Sequence, residues 1–324
     1  MIRRRDTLFA ATALFGAGLA GSRTAAAQSR QVVKLIVGFP PGGSGDQFAR
    51  IMSERLQQEL QAPIVVENRP GAGGLTAVAA FQRAPADGYT LMMHTGSTAI
   101  SAPISRKVAP YNPVDDFAWI ALLSEAPFLV AVNPGLPATD LKSLVAHAKA
   151  QAGKLSYGHA GLGTTVHLAA ELFKERAGIM VADIPYPGSG PALTDTIAGN
   201  VGFIVETYGT LIQQHKAGRI RIVGAFAESR LPELPDVGTA REIGLDVVAG
   251  TSNLIAAPLG TPPERQAVIA KAVAKIMALP EMRQQLTALG IHPVRNSNPQ
   301  QARDYVAREV ARWTPLVKKL GIAL

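Results

Sequence analysis

Two glycine-rich segments carry the residues best suited to binding chemistry, and each stands between a predicted strand and a predicted helix. They are residues 39–47, Phe-Pro-Pro-Gly-Gly-Ser-Gly-Asp-Gln, and residues 161–165, Gly-Leu-Gly-Thr-Thr. Free backbone N–H groups and the helix dipole make such a helix start favourable for a carboxylate or phosphate group. Ser44 and Gln47 also match a capping box. We expect the two segments to close on one small anion from opposite sides, although each alone could simply satisfy turn geometry.

Polar residues after other strands add to this predicted site. Thr95 and Ser97 follow one predicted strand, and Tyr186 ends another. Ligand-binding residues of α/β proteins collect at the carboxyl ends of strands, so these three are candidates. Residues 68–74, Asn-Arg-Pro-Gly-Ala-Gly-Gly, favour close helix packing over ligand contact.

Motifs for catalysis, cofactors and metals are absent from the sequence. Neither glycine segment has the lysine of a phosphate-binding loop, Val166 stands where a dinucleotide fingerprint needs a small residue, and no Gly-x-Ser-x-Gly elbow occurs. The six histidines show no metal-ligand spacing, and the chain has no cysteine. We therefore expect no metal, no cofactor and no enzymatic activity.

The charge of the chain favours a small anionic ligand. The formal net charge is +8 and the pI is near 9.8, but the basic residues form no block interleaved with aromatic residues. This pattern argues against nucleic-acid binding, and a mild positive excess suits a small anion.

The elements that must position these residues alternate between strands and helices. A length of 324 residues with 47% hydrophobic residues suits about two globular domains. Apolar runs predict strands at residues 33–37, 64–66, 90–93, 119–123, 128–132, 155–157, 182–185, 201–205 and 220–225. Helices are predicted after residue 43, over residues 165–177 with a stop at Gly178, and over residues 263–320. The sequence thus predicts an α/β fold.

The first 27 residues have the three parts of an export signal. Arg3, Arg4 and Arg5 precede an apolar stretch at about residues 8–19, and small residues precede Gln28. We expect cleavage after Ala27 and a periplasmic product. Export by the general route and by the twin-arginine route both stay open. Without a cysteine the product should have no lipid anchor.

Longer motifs resemble the Bug-type substrate-binding proteins of tripartite tricarboxylate transporters. The motifs are residues 39–46, 66–74, 84–91, 111–117, 161–168, 185–189 and 257–262, and they fall in that family's order along nearly the whole mature chain. The resemblance implies a bilobed periplasmic binding protein fold, with two α/β domains around a cleft and joined by a hinge. It implies a signal peptide at 1–27, a first lobe of 28–125 plus 250–324, and a second lobe of 126–249.

The resemblance also implies that both glycine segments pinch a ligand carboxylate. The chain departs from the family at His159, at Glu206, where a shorter acid is frequent, and at Asn253, where a tryptophan is common. We expect these three to face the rest of the ligand. The predicted ligand-binding residues are Phe39, Pro40, Gly42, Gly43, Ser44, Asp46, Thr95, Ser97, His159, Gly161, Gly163, Thr164, Thr165, Tyr186, Glu206 and Asn253.

The function implied is that of a monomeric extracytoplasmic receptor, which captures a small carboxylate and delivers it to membrane transporter subunits. A sensor of the same fold that acts in signalling is an alternative. An enzyme that uses the same cleft is a second alternative.

Overall fold

The computed structural model describes residues 31–151 and 153–322, in which strands and helices alternate as predicted for an α/β fold. The predicted signal peptide at residues 1–27 lies outside the described residues. The strands are β1 (Val33–Val37), β2 (Ile64–Asn68), β3 (Thr90–Thr95), β4 (Phe117–Val132), β5 (Ser156–His159), β6 (Ala182–Pro185), β7 (Phe203–Thr207), β8 (Arg221–Ala225), β9 (Gly250–Pro258) and β10 (His292–Pro293). The helices are α1 (Ser44–Leu60), α2 (Leu75–Gln82), α3 (Ala102–Ile104), α4 (Leu141–Ala150), α5 (Thr165–Ala177), α6 (Ser189–Ala198), α7 (Tyr208–Lys216), α8 (Pro263–Ala278), α9 (Pro280–Ala288) and α10 (Pro299–Lys319).

The strands form two sheets that share β4. In the first sheet, β1 pairs in parallel with β2 and β3, and β9 runs antiparallel between β3 and the first part of β4. In the second sheet, the last part of β4 pairs antiparallel with β7 and β8, and β7, β5 and β6 follow in parallel. We call the sheets with their helices the first lobe and the second lobe.

The two strands predicted at residues 119–123 and 128–132 are one continuous strand, β4. The polar residues and the proline between them suggested a break. The chain stays extended because β9 pairs with it through this stretch, up to the partners Pro127 and Gly250. From Phe128 onward the partners of β4 are β7 and β8, so this strand links the lobes.

The C-terminal region differs from the predicted run of helix. Residues 263–320 contain three helices, and the short strand β10 between α9 and α10 pairs with β4. Strand β9 was not predicted, although it lies at the centre of the first sheet. The apolar run Leu-Ile-Ala-Ala at residues 254–257, which is buried in the structure, is the sequence signal that could have predicted this strand.

Apolar burial fixes the helices that begin at the predicted site. The predicted apolar face of α1 is confirmed: Phe48, Met52 and Leu56 are fully buried against the first sheet. Each such side chain contributes roughly 1.5–3 kcal/mol on burial. Helix α5 begins and ends at the predicted residues. It ends at Ala177 because the following Gly178 adopts a left-handed conformation (φ 60°). Among the described residues, no helix combines the length and apolar character needed to cross a bilayer.

Candidate functional site

A cavity of about 50 Å³ lies where the first turns of α1, α5 and α6 approach one another. Loops that follow β1 and β3 contribute from the first lobe, and loops that follow β5 and β6 contribute from the second. The lining residues are Phe39, Pro40, Pro41, Gly43, Gly45, Thr95, Ser97, Phe128, Ala160, Thr165, Val166, Ser189, Gly190, Pro191, Glu206 and Thr251. None of them is a lysine or an arginine, so an anion in this cavity would be bound by neutral donors.

The two lobes are in close contact around the cavity. Ser97 Oγ accepts a hydrogen bond from the Thr165 amide at 3.1 Å, and the two hydroxyl groups are also 3.1 Å apart. A Cβ atom placed on Gly188 would lie only 3.0 Å from Pro40 Cδ. These contacts join the two lobes beside the cavity.

The first glycine segment begins α1 without a side-chain cap. The predicted capping box is wrong, because the helix begins at Ser44 and the N-cap residue is Gly43, which has no side chain. Gln47 instead donates its amide to the carbonyl of Gly42 at 3.2 Å. Backbone amides in the first turn of a helix have no hydrogen-bond partner inside the helix. Gly45, which lines the cavity, has such an amide, and no partner for it is present among the described residues. This amide is available to a ligand.

Asp46 stabilises the first segment and does not line the cavity. It is 2% exposed and accepts hydrogen bonds from Gly42 N, Arg50 Nε and Asn68 Nδ2, at 3.0, 3.0 and 2.9 Å. Burial alone would raise the pKa of this carboxyl, but the hydrogen bonds from Arg50, Gly42 and Asn68 hold it below the usual value. Asp46 is therefore ionised at neutral pH, and its hydrogen bonds hold the loop in place. Gly42 donates its own amide here and is also absent from the cavity lining.

Most amides of the second glycine segment are already hydrogen-bonded. Gly161 N donates to His159 Nδ1 at 3.3 Å, and Gly163 N donates to His167 Nδ1 at 3.2 Å. Thr164 caps α5, since its hydroxyl accepts from His167 N and donates to Gly161 O. Val166 lies in the first turn of α5 and lines the cavity. Its backbone amide has no hydrogen-bond partner among the described residues.

His159 contacts the loop from within the protein and lines neither this cavity nor the adjoining one. It is 1% exposed, stacks on His167 with ring centroids 4.5 Å apart, and places Nε2 3.6 Å from Asp183 Oδ2. Burial, together with the neighbouring ring for His159, lowers the pKa of each histidine to about 4. Both rings are therefore neutral at pH 7.

These three residues form a cluster that spacing along the chain did not reveal. The candidate ligand atoms of His159, His167 and Asp183 lie within 4.8 Å of one another. Because both Nδ1 atoms accept backbone N–H groups, each neutral ring carries its proton on Nε2. A metal would need the lone pair of Nε2, so the cluster fits a hydrogen-bonded support for the loop better than a metal site.

Glu206 lines the cavity, as its predicted ligand contact requires. It is 3% exposed; its carboxylate accepts hydrogen bonds from the Ser189 hydroxyl and, at 3.0 Å, from the Thr207 amide. Burial raises the pKa of this carboxyl above the usual value, although the hydrogen bonds counteract the shift. No cation among the lining residues neutralises it.

Asn253 and Tyr186 use their polar groups within the protein. Asn253 donates to Ser124 Oγ at 3.0 Å inside the first sheet and is absent from the cavity lining. Tyr186 donates its hydroxyl to Asp195 at 2.6 Å, and its pKa rises to about 12, first through burial and then through Asp195. Tyr186 and Gly161 line an adjoining cavity.

The structure thus divides the predicted residues into groups. Those that line the cavity are Phe39, Pro40, Gly43, Thr95, Ser97, Thr165 and Glu206. Those outside the lining of either cavity are Gly42, Asp46, His159, Gly163, Thr164 and Asn253. Ser44 begins α1, and its side chain is outside the described part of the chain.

The start of α6 was missed as part of the site. Ser189, Gly190 and Pro191 line the cavity, and Ser189 bonds to Glu206. The signal was the segment Pro-Gly-Ser-Gly-Pro after strand β6, which places glycines between a strand and a helix as in the other two segments.

Comparison with known proteins agrees with this arrangement. Residues 48–322 match the family model described as "Tripartite tricarboxylate transporter family receptor". BugT of Bordetella pertussis is 32% identical over 310 residues, which are 95% of each chain.

Two solved structures from Rhodopseudomonas palustris resemble the chain in both sequence and fold. One, solved with adipate, has a TM-score of 0.86 and 31% identity and covers 90% of this chain and 97% of its own. The other, MatC with bound malate, has a TM-score of 0.83 and 30% identity and covers 88% of this chain and 98% of its own. The predicted bilobed fold is thereby confirmed, and the chain belongs to the tripartite tricarboxylate transporter receptor family.

Proposed function

We propose that this protein is a periplasmic receptor that binds a small carboxylate between its lobes and delivers it to membrane transporter subunits. The observation that carries the proposal is the meeting of helix starts from both lobes at one cavity. Gly45 in α1 and Val166 in α5 line it, and their amides have no hydrogen-bond partner among the described residues. The hydroxyl-bearing residues Thr95, Ser97 and Thr165 line the same cavity.

The chemistry of the lining suits a carboxylate. Hydrogen bonds from neutral donors to a charged group contribute roughly 1.5–3 kcal/mol each, and helix dipoles favour negative charge at these positions. Two family neighbours were solved with the dicarboxylates adipate and malate, which supports the same ligand class here.

Binding between lobes implies a hinge. We place it where β4 and β9 pass between the lobes, with the first lobe comprising residues 28–125 and 250–324 and the second residues 126–249. The change of partner along β4 after Pro127 supports this position. The ligand then acts by favouring the closed form.

Export to the periplasm is part of the proposal. The basic, apolar and small-residue segments of residues 1–27 support a cleaved signal, and the family supports a receptor role outside the inner membrane. Mass spectrometry of the periplasmic fraction should find a monomeric chain that begins at or near Gln28. A full-length chain found only in membranes would contradict export.

A ligand-stabilisation screen tests the binding function. The panel comprises mono-, di- and tricarboxylates, with acidic amino acids and aromatic acids included. A ligand at 100 times its dissociation constant should stabilise the folded protein by about 2.7 kcal/mol. Turnover of a stabilising acid would instead support the enzyme alternative, and no stabilisation by any acid would contradict the proposal.

A further inference from the structure

A second cavity adjoins the first, and it contains the positive charge that the first one lacks. This cavity has a volume of about 270 Å³ and lies between the Gly71–Gly74 turn of the first lobe and the loops at Gly161 and Tyr186 of the second. Phe39 and Ala160 line both cavities. Phe39 and Ala160 thus lie where the two cavities adjoin.

Arg106 lines this second cavity from the first lobe. Its Nε atom is buried and has no hydrogen-bond partner among the described residues. No aspartate or glutamate lines the cavity, and no ion pair of Arg106 with a described carboxylate is present. A buried donor of a charged group without a partner costs free energy, and an anion would remove that cost.

The two cavities have opposite electrostatic character. The first offers backbone amides and hydroxyl groups together with the acid Glu206, whereas the second offers a guanidinium group without any acid. Guanidinium groups bind carboxylates with strong, geometrically specific hydrogen bonds. A ligand held at the starts of α1 and α5 by one carboxylate needs a second acidic group to reach this guanidinium.

We propose that Arg106 forms a second anion subsite, which binds the far acidic group of a dicarboxylate ligand. One carboxylate binds at the starts of α1 and α5, and the other extends past Phe39 and Ala160 to the Arg106 guanidinium. This inference rests on the proposed carboxylate-receptor function and adds the residue that binds the second acidic group. Because the second subsite also lies between the lobes, its occupation favours closure.

The test compares matched acids on matched variants by titration calorimetry. The ligands are the dicarboxylates from succinate to adipate, and the monocarboxylates of equal chain length from butyrate to hexanoate. The variants are Arg106→Gln, Arg106→Lys and Lys107→Gln. The last removes the same charge from the exposed neighbouring residue. Circular dichroism and thermal unfolding show that each variant is folded.

The wild-type protein should bind at least one dicarboxylate more tightly than its matched monocarboxylate. Arg106→Gln should weaken that dicarboxylate at least about tenfold and leave the monocarboxylate within about twofold, as expected for loss of one charge-assisted contact. Arg106→Lys should retain part of the affinity, and Lys107→Gln should leave both ligands nearly unchanged.

Three results would overturn the second subsite while leaving the receptor function intact. They are equal losses for both ligand classes in Arg106→Gln, no loss for either, and a wild-type preference for monocarboxylates. Failure of the wild-type protein to bind any acid in the series would instead contradict the proposed function, and the second subsite with it.

Discussion

Ser97 and Thr165 connect the two lobes through one hydroxyl group: Ser97 Oγ lies 3.1 Å from both the amide nitrogen and the hydroxyl oxygen of Thr165. Ser97 follows β3 in the first lobe, and Thr165 is the first residue of α5 in the second. The bond occupies one of the amides that the α5 start would otherwise leave unpaired. It thus holds the two lobes together at the edge of the cavity.

Ser97→Ala should weaken the binding of all carboxylates by a similar factor. The lost bond is worth about 0.5–1.5 kcal/mol, which corresponds to roughly two- to tenfold in affinity. Ser101→Ala is the matched control, because the Ser101 hydroxyl is buried in the same turn and has no hydrogen-bond partner there. Titration calorimetry on both variants gives the comparison. Equal effects of the two substitutions would show that the bond between Ser97 and Thr165 does not contribute to ligand binding.

Glu206→Gln should change which ligand is preferred. Removal of the charge relieves repulsion of a plain dicarboxylate such as succinate, and it weakens the acceptor for a hydroxyl or ammonium group, as in malate or aspartate. We expect the affinity ratio of malate to succinate to fall by about fivefold or more, the scale of one charged hydrogen bond. Glu54→Gln, on the exposed side of α1, is the control for net charge.

The same carboxyl predicts a pH dependence of binding. Burial raises the pKa of Glu206, so the neutral form becomes populated sooner as the pH falls. Succinate binding should strengthen as the pH is lowered from 7 until the ligand itself takes up protons, and Glu206→Gln should abolish this trend. Equal pH profiles for the variant and the wild type would place the titrating group elsewhere.

Three buried histidines should make the protein sensitive to acid. Burial lowers the pKa of His94 to about 3, and those of His159 and His167 to about 4, from an ordinary value of 6.5. Below pH 6.5 these histidines bind protons in the unfolded chain but not yet in the folded chain. The free energy of unfolding therefore falls as the pH drops toward the pKa values of the folded protein. Each histidine contributes a slope of about 1.4 kcal/mol per pH unit.

His94 is the cleanest position at which to test this dependence. Its ring lies among Phe81, Phe117 and Trp119, and neither ring nitrogen has a hydrogen-bond partner within the geometric limits among the described residues. His94→Leu should reduce the slope of the free energy of unfolding against pH, measured by urea unfolding between pH 6 and 4, by about 1.4 kcal/mol per pH unit. His147→Gln, on the partly exposed face of α4, is the control for replacement of a histidine outside this aromatic cluster. An unchanged slope in His94→Leu would contradict the assignment.

Local patterns in the sequence predicted much of the fold. The strand at residues 33–37, the apolar face of α1 and both ends of α5 follow from periodicity and capping, which act within a few residues. The continuity of β4 and the central place of β9 depend on pairing between strands far apart in the chain. Single-strand patterns do not contain that information.

The candidate site was predictable to a similar degree. Glycine segments before helices identified the loops at Gly43 and Thr165. The partners of the loop amides were not predictable, because His159 and His167 reach them only through the fold. Likewise, Asn253 seemed a ligand contact by its position in the family pattern, but Ser124 lies opposite it in the sheet and binds its side chain.

Gly43→Val tests whether the ligand carboxylate binds at the start of α1. Gly43 lines the cavity, and its backbone (φ −76°, ψ 165°) is open to any residue. The nearest heavy atom to an added Cβ is Pro40 O, at 3.9 Å. Valine should therefore preserve the fold and the melting temperature while its methyl groups enter the space meant for the ligand carboxylate.

The decisive measurement is titration calorimetry of succinate, malate and adipate into the wild-type protein and into Gly43→Val. We expect the wild type to bind at least one of these acids and the folded variant to bind none of them. Wild-type affinity in Gly43→Val, or no binding by the wild type, would contradict a carboxylate receptor that binds its ligand at the start of α1.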